Sequence, residues 1–232
     1  MDGVTTPLVL VAHGSRDESA HACVGAITDA VRVALPDVPV RLGYVDVRGP
    51  TVADAVAGLP GAVVVPAFLA SGYHVRTDLP AQLAASGAAG YTVTAALGPD
   101  PLLAGAVRDR LAEAGWRYGD AVVLAAAGSS DPAALAEVRA AGRMLAAEVG
   151  RKVRVGFVAT AAPKVETLVA GLRAAGERRI AVASWLLAPG IFHTRLAEAG
   201  ADVVAAPLGA HPDVVAALVA RYRTAALEVA AA

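Results

Sequence analysis

The sequence holds a single cysteine, Cys23, in 232 residues. One thiol excludes an intrachain disulfide and any multi-cysteine zinc site, and it fits a reducing compartment such as the cytoplasm. Aromatic residues make up only 4% of the chain, too few for the stacking platforms of a single-stranded nucleic-acid binder. Charged residues are also scarce at 18%, and 20 Lys and Arg against 21 Asp and Glu leave a formal net charge of -1. That balance removes the overall basic bias of a dedicated nucleic-acid binder, although a local basic patch stays open. No apolar run reaches the ~18 residues of a membrane span; one of the longest, from Ile180 to Phe192, is broken by Pro189-Gly190. The start, Met1-Asp2-Gly3-Val4, carries an acid and no Lys or Arg before Arg16, unlike a secretory signal. A soluble, cytoplasmic protein is the expectation. What the chain has in abundance is apolar residues, 56%, which excludes disorder and suffices for one large or two small packed domains.

Short aliphatic runs at 8–11, 38–45, 62–65 and 91–95 alternate with longer Ala-rich stretches of helical period. Near-continuous apolar strands belong to parallel sheets covered on both faces, so the order predicts a doubly wound α/β fold. The pattern then repeats. Ala127-Gly128-Ser129-Ser130-Asp131 matches His13-Gly14-Ser15-Arg16-Asp17, Gly156-Phe157-Val158 matches Gly43-Tyr44-Val45, and Pro163 matches Pro50. Leu186 to Gly190 matches Phe68 to Gly72, and Leu208 to Pro212 matches Leu97 to Pro101. Two tandem homologous doubly wound domains are expected, 1–118 and 119–232, with a cleft between them and the boundary near Arg117 to Asp120.

Positions that differ between the two copies are not demanded by the shared scaffold. His13 becomes Ala127, His74 falls opposite Phe192, and Asp46 becomes Ala159. The polar residues all stand in the first copy, at or just beyond predicted strand ends, where ligands bind in open parallel sheets. Function is therefore expected in the first half. Ser15 and Glu18 have the spacing of a capping box, with amides at the helix start as an alternative anion site. Arg16, which becomes Ser130, is either an anion contact or a solvated surface residue. Arg76 is a plausible bidentate clamp for a carboxylate. His193, one place out of register with His74, is a candidate to face the cleft from the second half. His21 and His211 are expected on the surface, and Cys23 is expected as a small core hydrophobe. Two imidazoles and a carboxylate suit divalent-metal chemistry, because neutral imidazole binds Fe, Co, Ni and Zn and also accepts protons near neutral pH. Insertion of a metal into a tetrapyrrole needs both properties.

Leu10-Val11-Ala12-His13-Gly14-Ser15-Arg16 and the longer Val65 to Pro80 segment, with Ser71-Gly72-Tyr73-His74-Val75-Arg76-Thr77-Asp78 inside it, resemble the class II chelatases, and among them the sirohydrochlorin chelatases. The resemblance covers nearly the whole chain, including the tandem halves of the longer bacterial members. It implies His13 and His74 as metal ligands and proton acceptors, with Asp46 as a third catalytic group. Asp46 is one methylene shorter than the Glu usual at that strand end, so direct ligation and action through water both stay open. The resemblance further implies no organic cofactor, Fe2+, Co2+ or Ni2+ as metal substrate, and a many-carboxylate tetrapyrrole as partner. Ser15, Arg16, Arg48, Arg76 and His193 are then candidate substrate contacts, and a single chain completes the cleft as a monomer. Two other readings are a non-catalytic metal or tetrapyrrole carrier and a phosphoryl-transfer enzyme with His13 as nucleophile. Ala12 speaks against the latter, since histidine phosphatases place Arg directly before that His.

Overall fold

The computed structural model describes residues 5–87 and 89–231; the N-terminal residues 1–4 read above lie outside them. Strands β1 (Leu8–Ala12), β2 (Val40–Tyr44), β3 (Val63–Pro66) and β4 (Thr92–Val93) form a parallel sheet in the order β2-β1-β3-β4. Strands β5 (Ala121–Ala126), β6 (Val153–Phe157), β7 (Ile180–Trp185) and β8 (Val203–Val204) repeat it in the order β6-β5-β7-β8. The internal repeat thus corresponds to a repeat of fold. Among the described residues, no helix is long and apolar enough to cross a membrane.

Local chemistry sets the helix starts. Helix α1 (Glu18–Ala34) is capped by Asp17, whose carboxylate accepts the Ser19 N–H at 2.8 Å. The expected Ser15–Glu18 capping box does not form. Asp17 reaches the orphan amide first, Ser15 Oγ accepts the Asp17 N–H, and the Glu18 carboxylate is taken by Arg48 at 2.7 Å. A true capping box opens α2 (Val52–Val56), where Thr51 and Asp54 bond each other's backbone N–H. Helices α4 (Pro101–Glu113) and α5 (Pro132–Val149) both begin with Asp at the cap and Pro in the first turn, whose missing N–H costs no hydrogen bond there. The remaining α-helices are α3 (Leu79–Ala85), α6 (Val165–Ala174), α7 (Ile191–Ala197) and α8 (Pro212–Ala231).

Alternation along the strands sorts side chains into layers. Leu8, Leu10, Val63 and Val65 face one way, and Val122, Leu124 and Ala126 of the second sheet face toward them; all share one core with Ile27 and Val31 of α1, Leu103 and Leu111 of α4, Leu145 of α5 and Leu218 of α8. Cys23 is half-buried against the same core, as expected of a small hydrophobe. Val9, Val11 and Val64 turn outward onto Val52, Leu79 and Leu83, while Val123, Val182 and Val165 form the corresponding outer cluster of the second sheet. Helices α1, α4, α5 and α8 are therefore sandwiched between two sheets.

Inside that sandwich the last helix of each repeat crosses over. Helix α4 packs on β7, and α8 packs on β3 and α1. Hydrogen bonds fix the exchange: Arg110 donates to Leu208 O at 2.9 Å, Tyr222 donates to Thr6 O at 2.6 Å, and Arg221 pairs with Asp100 at 3.3 Å. The repeats follow one another in sequence, yet each completes the other's inner layer.

A shared core predicts shared unfolding. Leu218→Ala should cost about 2–5 kcal/mol and leave one cooperative transition, with amide protection falling together in β1, β3, β5 and β7. Separate transitions for the two sheets in a denaturant titration followed by hydrogen exchange would contradict it.

Candidate metal site in the cleft

The cleft lies outside the carboxyl ends of the strands. Its cavity, about 430 Å³, is walled by residues 12–15, 67–69 and part of α1 from the first repeat and by Ala127 and residues 185–193 from the second. His13, immediately after β1, lines it. Gly14 follows with φ +96, and a Cβ there would collide with the Asp46 carbonyl oxygen, so glycine is required for the close approach of the two strand ends.

His74 opens a π-helical turn, His74–Asp78, that runs directly into α3. The wider turn, closed by the Leu79 N–H on His74 O, sets His74 and Asp78 side by side. Nδ1 of His74 stands 2.6 Å from the Asp78 carboxylate, and Nδ1 of His13 stands 2.9 Å from the Gly14 carbonyl oxygen. Both partners accept hydrogen bonds, which assigns the ring proton to Nδ1 in each imidazole. The two Nε2 atoms then face one another at 3.0 Å, with ring centroids 4.3 Å apart at an interplanar angle of 81°. Two nitrogen lone pairs this close require a cation between them, either a shared proton or a metal. With metal–nitrogen bonds of about 2.0–2.1 Å, one ion bound to both would subtend an angle of roughly 90–100° at the metal, the angle of two neighbouring positions in octahedral or square-planar coordination.

Asp46 does not complete this pair. Its backbone N–H donates to His13 O at 3.0 Å, but its exposed carboxylate accepts the Val47 N–H at 2.7 Å. Val47, β-branched and at φ +52, is the strained residue that holds this turn. Among the described residues, no three His, Cys, Asp or Glu side chains are arranged to hold one ion together. The structure brings His13 and His74 together, with Asp78 behind one of them, and leaves the Asp46 carboxylate on the Val47 amide.

The arginines divide. Arg48 donates to Ser15 O at 3.2 Å and to Glu18 at 2.7 Å. Arg76 donates to Ser71 O at 2.6 Å and lies 3.4 Å from Asp131 and 3.5 Å from Glu137, so it ties the two repeats together and is not free as a carboxylate clamp. Arg16 is exposed and has no ion-pair partner among the described residues. Ser15 and His193 both line the cavity; the His193 Nε2 lies 3.2 Å from Ala205 O. In the second repeat, the counterparts Ala127 and Phe192 pack against the outer apolar cluster and line the cavity without offering a donor atom.

Three contacts were not readable from the sequence. Asp78 had a visible signal, since it stands four residues after His74, but only the π-helical turn gives that spacing its meaning. Glu137 of α5 accepts the Ser71 N–H at 2.5 Å, and Trp185 of β7 donates to Leu69 O at 3.2 Å. Together they anchor the segment leading into His74 to the second repeat, across separations that leave no local pattern. His21, expected on the surface, lines the cavity instead. His211, also expected there, is largely buried, with its ring 3.6 Å from the Asp109 carboxylate.

Comparison with known proteins agrees with this architecture. The CbiX family model matches residues 7–114 and again 121–225. The chain belongs to the CbiX family. It is 36% identical over 78 residues to a sirohydrochlorin cobaltochelatase of Methanosarcina acetivorans, a match covering 32% of this chain and 60% of that protein. It is 30% identical over 131 residues to the sirohydrochlorin cobaltochelatase of Methanothermobacter thermautotrophicus, covering 46% and 91%. The first of these matches therefore spans less than two thirds of the relative. Among solved structures, SirB from Bacillus subtilis with Fe3+ superposes with a TM-score of 0.84 at 22% identity, covering 96% of each chain. A SirB–cobalt complex from the subspecies spizizenii gives 0.77 at 19% identity over 97% of each chain. These likenesses establish the fold.

Removing the carboxylate behind His74 should loosen the ring without unfolding the domain. Asp78→Ala is expected to weaken Co2+ binding by about 10–100-fold, read by isothermal calorimetry, with the circular dichroism spectrum unchanged. Affinity equal to that of the parent would show that Asp78 does not orient the ligand.

Proposed function

We propose that the protein is a sirohydrochlorin chelatase that inserts Fe2+ or Co2+ into the macrocycle with release of two protons. The observation that carries this reading is the pair of Nε2 atoms at 3.0 Å, one of them on His13, which lines the cavity between the two repeats. The family and the names of the archaeal relatives support the same chemistry. His13 and His74 hold the incoming ion through two nitrogens while it sheds water. The other coordination positions stay open, and the pyrrole nitrogens fill them. A closed four-ligand site would bind metal more tightly but would not release it.

The cavity wall is largely apolar, with Ala12, Ala67, Leu69, Trp185 and Leu187 among its lining, which suits the flat face of a tetrapyrrole. The peripheral carboxylates of that substrate need cations at the rim, and Arg16, exposed and without an ion-pair partner among the described residues, is available to them. Sirohydrochlorin, a divalent ion and a single chain suffice, because both walls of the cleft come from one polypeptide. The lone thiol suits a reducing cytoplasm.

His13→Ala and His74→Ala should each lower kcat/KM for insertion by roughly 100-fold or more while retaining native circular dichroism. The assay follows sirohydrochlorin absorbance anaerobically with Fe2+, Co2+ and Ni2+ side by side. Parental rates in the double variant would end the proposal, and a spectral change that stops at one equivalent of protein would identify a carrier instead. Arg16→Ala should raise KM for sirohydrochlorin about 3–10-fold, a loss of the order of one charge-assisted hydrogen bond, and leave kcat within twofold.

A further inference from the structure

Helices α1 and α5 hold equivalent places in the two repeats, and the register that sets His13 opposite Ala127 also sets Cys23 of α1 opposite Glu137 of α5. Each of these side chains reaches the strand-end segment of the other repeat. The Cys23 thiol donates to Leu187 O at 3.8 Å, whereas the Glu137 carboxylate accepts the Ser71 N–H at 2.5 Å. Only the second is a short, charge-assisted bond. Its donor is also confined to one copy, because Ser71 falls opposite Pro189, which has no N–H. Arg76, beside this bond, falls opposite Thr194 in the register that pairs His74 with Phe192. Donor, acceptor and neighbouring guanidinium are thus present on the side that carries the imidazoles and replaced on the other. A requirement of the shared scaffold would appear in both copies.

Short steps connect this clamp to the ligand. Ser71 stands three residues before His74, with its N–H on Glu137 and its carbonyl oxygen accepting from Arg76 Nε at 2.6 Å. Arg76 lies within the π-helical turn that His74 opens, and its own N–H donates to Gly72 O at 3.0 Å. Its Nη2 returns to the Glu137 carboxylate at 3.5 Å. A closed circuit therefore runs from α5 through Ser71 and Arg76 back to α5, and His74 lies on the chain it encloses. Asp78 orients the His74 ring, but it belongs to the same turn and cannot place that turn against β1. Placement at the near end comes from the second repeat, through Glu137 on Ser71 and Trp185 on Leu69 O.

We propose that Glu137 is a positioning residue for the metal site: from the second repeat it fixes the Ser71 peptide and so sets the separation of His74 Nε2 from His13 Nε2. The assignment rests on the reading of these two imidazoles as the pair that holds the ion of a chelatase. The geometry makes the pair sensitive to such placement. With metal–nitrogen bonds of about 2.0–2.1 Å, widening the pair by about 1 Å opens the angle at the ion from near a right angle to roughly 150°. Two neighbouring coordination positions then become nearly opposite ones, and the ion no longer fits both nitrogens in the same way. Glu137 acts on the main chain and not on the ion, so what it must supply is an acceptor oxygen at the right place.

Glu137→Ala should weaken Co2+ binding, titrated by calorimetry without tetrapyrrole, by about 10-fold. Glu137→Gln keeps an oxygen that accepts the Ser71 N–H and loses only the charge, so its affinity should stay within about threefold of the parent. The visible absorption of bound Co2+, which reads the ligand geometry, should shift in the alanine variant and return to the parental spectrum in the glutamine variant, a response that a loosened interface alone would not give. Cys23→Ala, at the related place on α1, should leave Co2+ affinity within about twofold. Glu137→Met, of similar length and without an oxygen, provides a second variant should the alanine substitution fail to fold. Parental affinity and spectrum in a folded Glu137→Ala or Glu137→Met protein, a glutamine variant as weak as the alanine one, or an equal loss in Cys23→Ala would each overturn the proposal. A parent protein that binds Co2+ but never turns over with sirohydrochlorin would defeat the chelatase reading and leave the placement of His74 by Glu137 standing.

Discussion

Two imidazole nitrogens that face each other at 3.0 Å are the constraint around which the rest of the molecule is arranged. Neither lone pair can turn away, because each ring is pinned through its other nitrogen. Each pin has its own structural requirement. The Gly14 carbonyl is in place because a residue without a Cβ lets the β1 and β2 ends approach, and Asp78 is beside His74 because a π turn replaces the first turn of a helix. Widened turns of this kind cost hydrogen-bond geometry and recur at functional sites. The cost is offset by α3, whose Leu79 and Leu83 are fully buried against the sheet and hold the turn from its far end.

The second repeat lacks the imidazoles, yet the first could not present them alone. Helix α8 covers the inner face of β3, and α4 is committed to β7. Glu137 and Trp185 reach across to the segment that delivers His74, and Arg76 returns the contact to Asp131. At the corresponding positions the second copy carries apolar Phe192 and Ala127, which pack on its outer cluster and form part of the opposite wall of the cavity. This division explains how two halves with the same strand order differ so sharply in polarity at corresponding positions.

The strands were legible because parallel strands buried on both faces must be apolar throughout. Leu8 to Val11 and Ala62 to Val65 carry that signal without ambiguity, and the strands at Leu8–Ala12 and Val63–Pro66 lie within one residue of it at each end. His13 and His74 were legible for a different reason: the copy that lost them marks them as unnecessary to the scaffold. The helix exchange was not legible, because an amphipathic helix shows which of its faces is buried but not which sheet buries it. Nor was the fate of Asp46 or His21. A strand-end carboxylate and a helix-borne imidazole look alike whether they face the cavity or solvent, and only the Val47 amide and the Tyr44 hydroxyl decide between those outcomes.

In the proposed chelatase, the balance between holding and releasing an ion would follow from how few donors the cleft offers. Each further protein ligand would strengthen binding and occupy a position that an incoming nitrogen must take. With the Asp46 carboxylate on a backbone amide, the proposed ion site has two protein nitrogens, and the small residues Ala12, Gly14, Ala67 and Ala127 on the cavity wall would leave room for a flat macrocycle. A largely apolar wall lowers the local dielectric, so in the proposed reaction the charge of the ion would be felt more strongly by an entering pyrrole nitrogen than in bulk solvent. In the proposed reaction, few protein donors and an apolar wall would act together, the first letting the ion be taken and the second favouring the approach of the macrocycle.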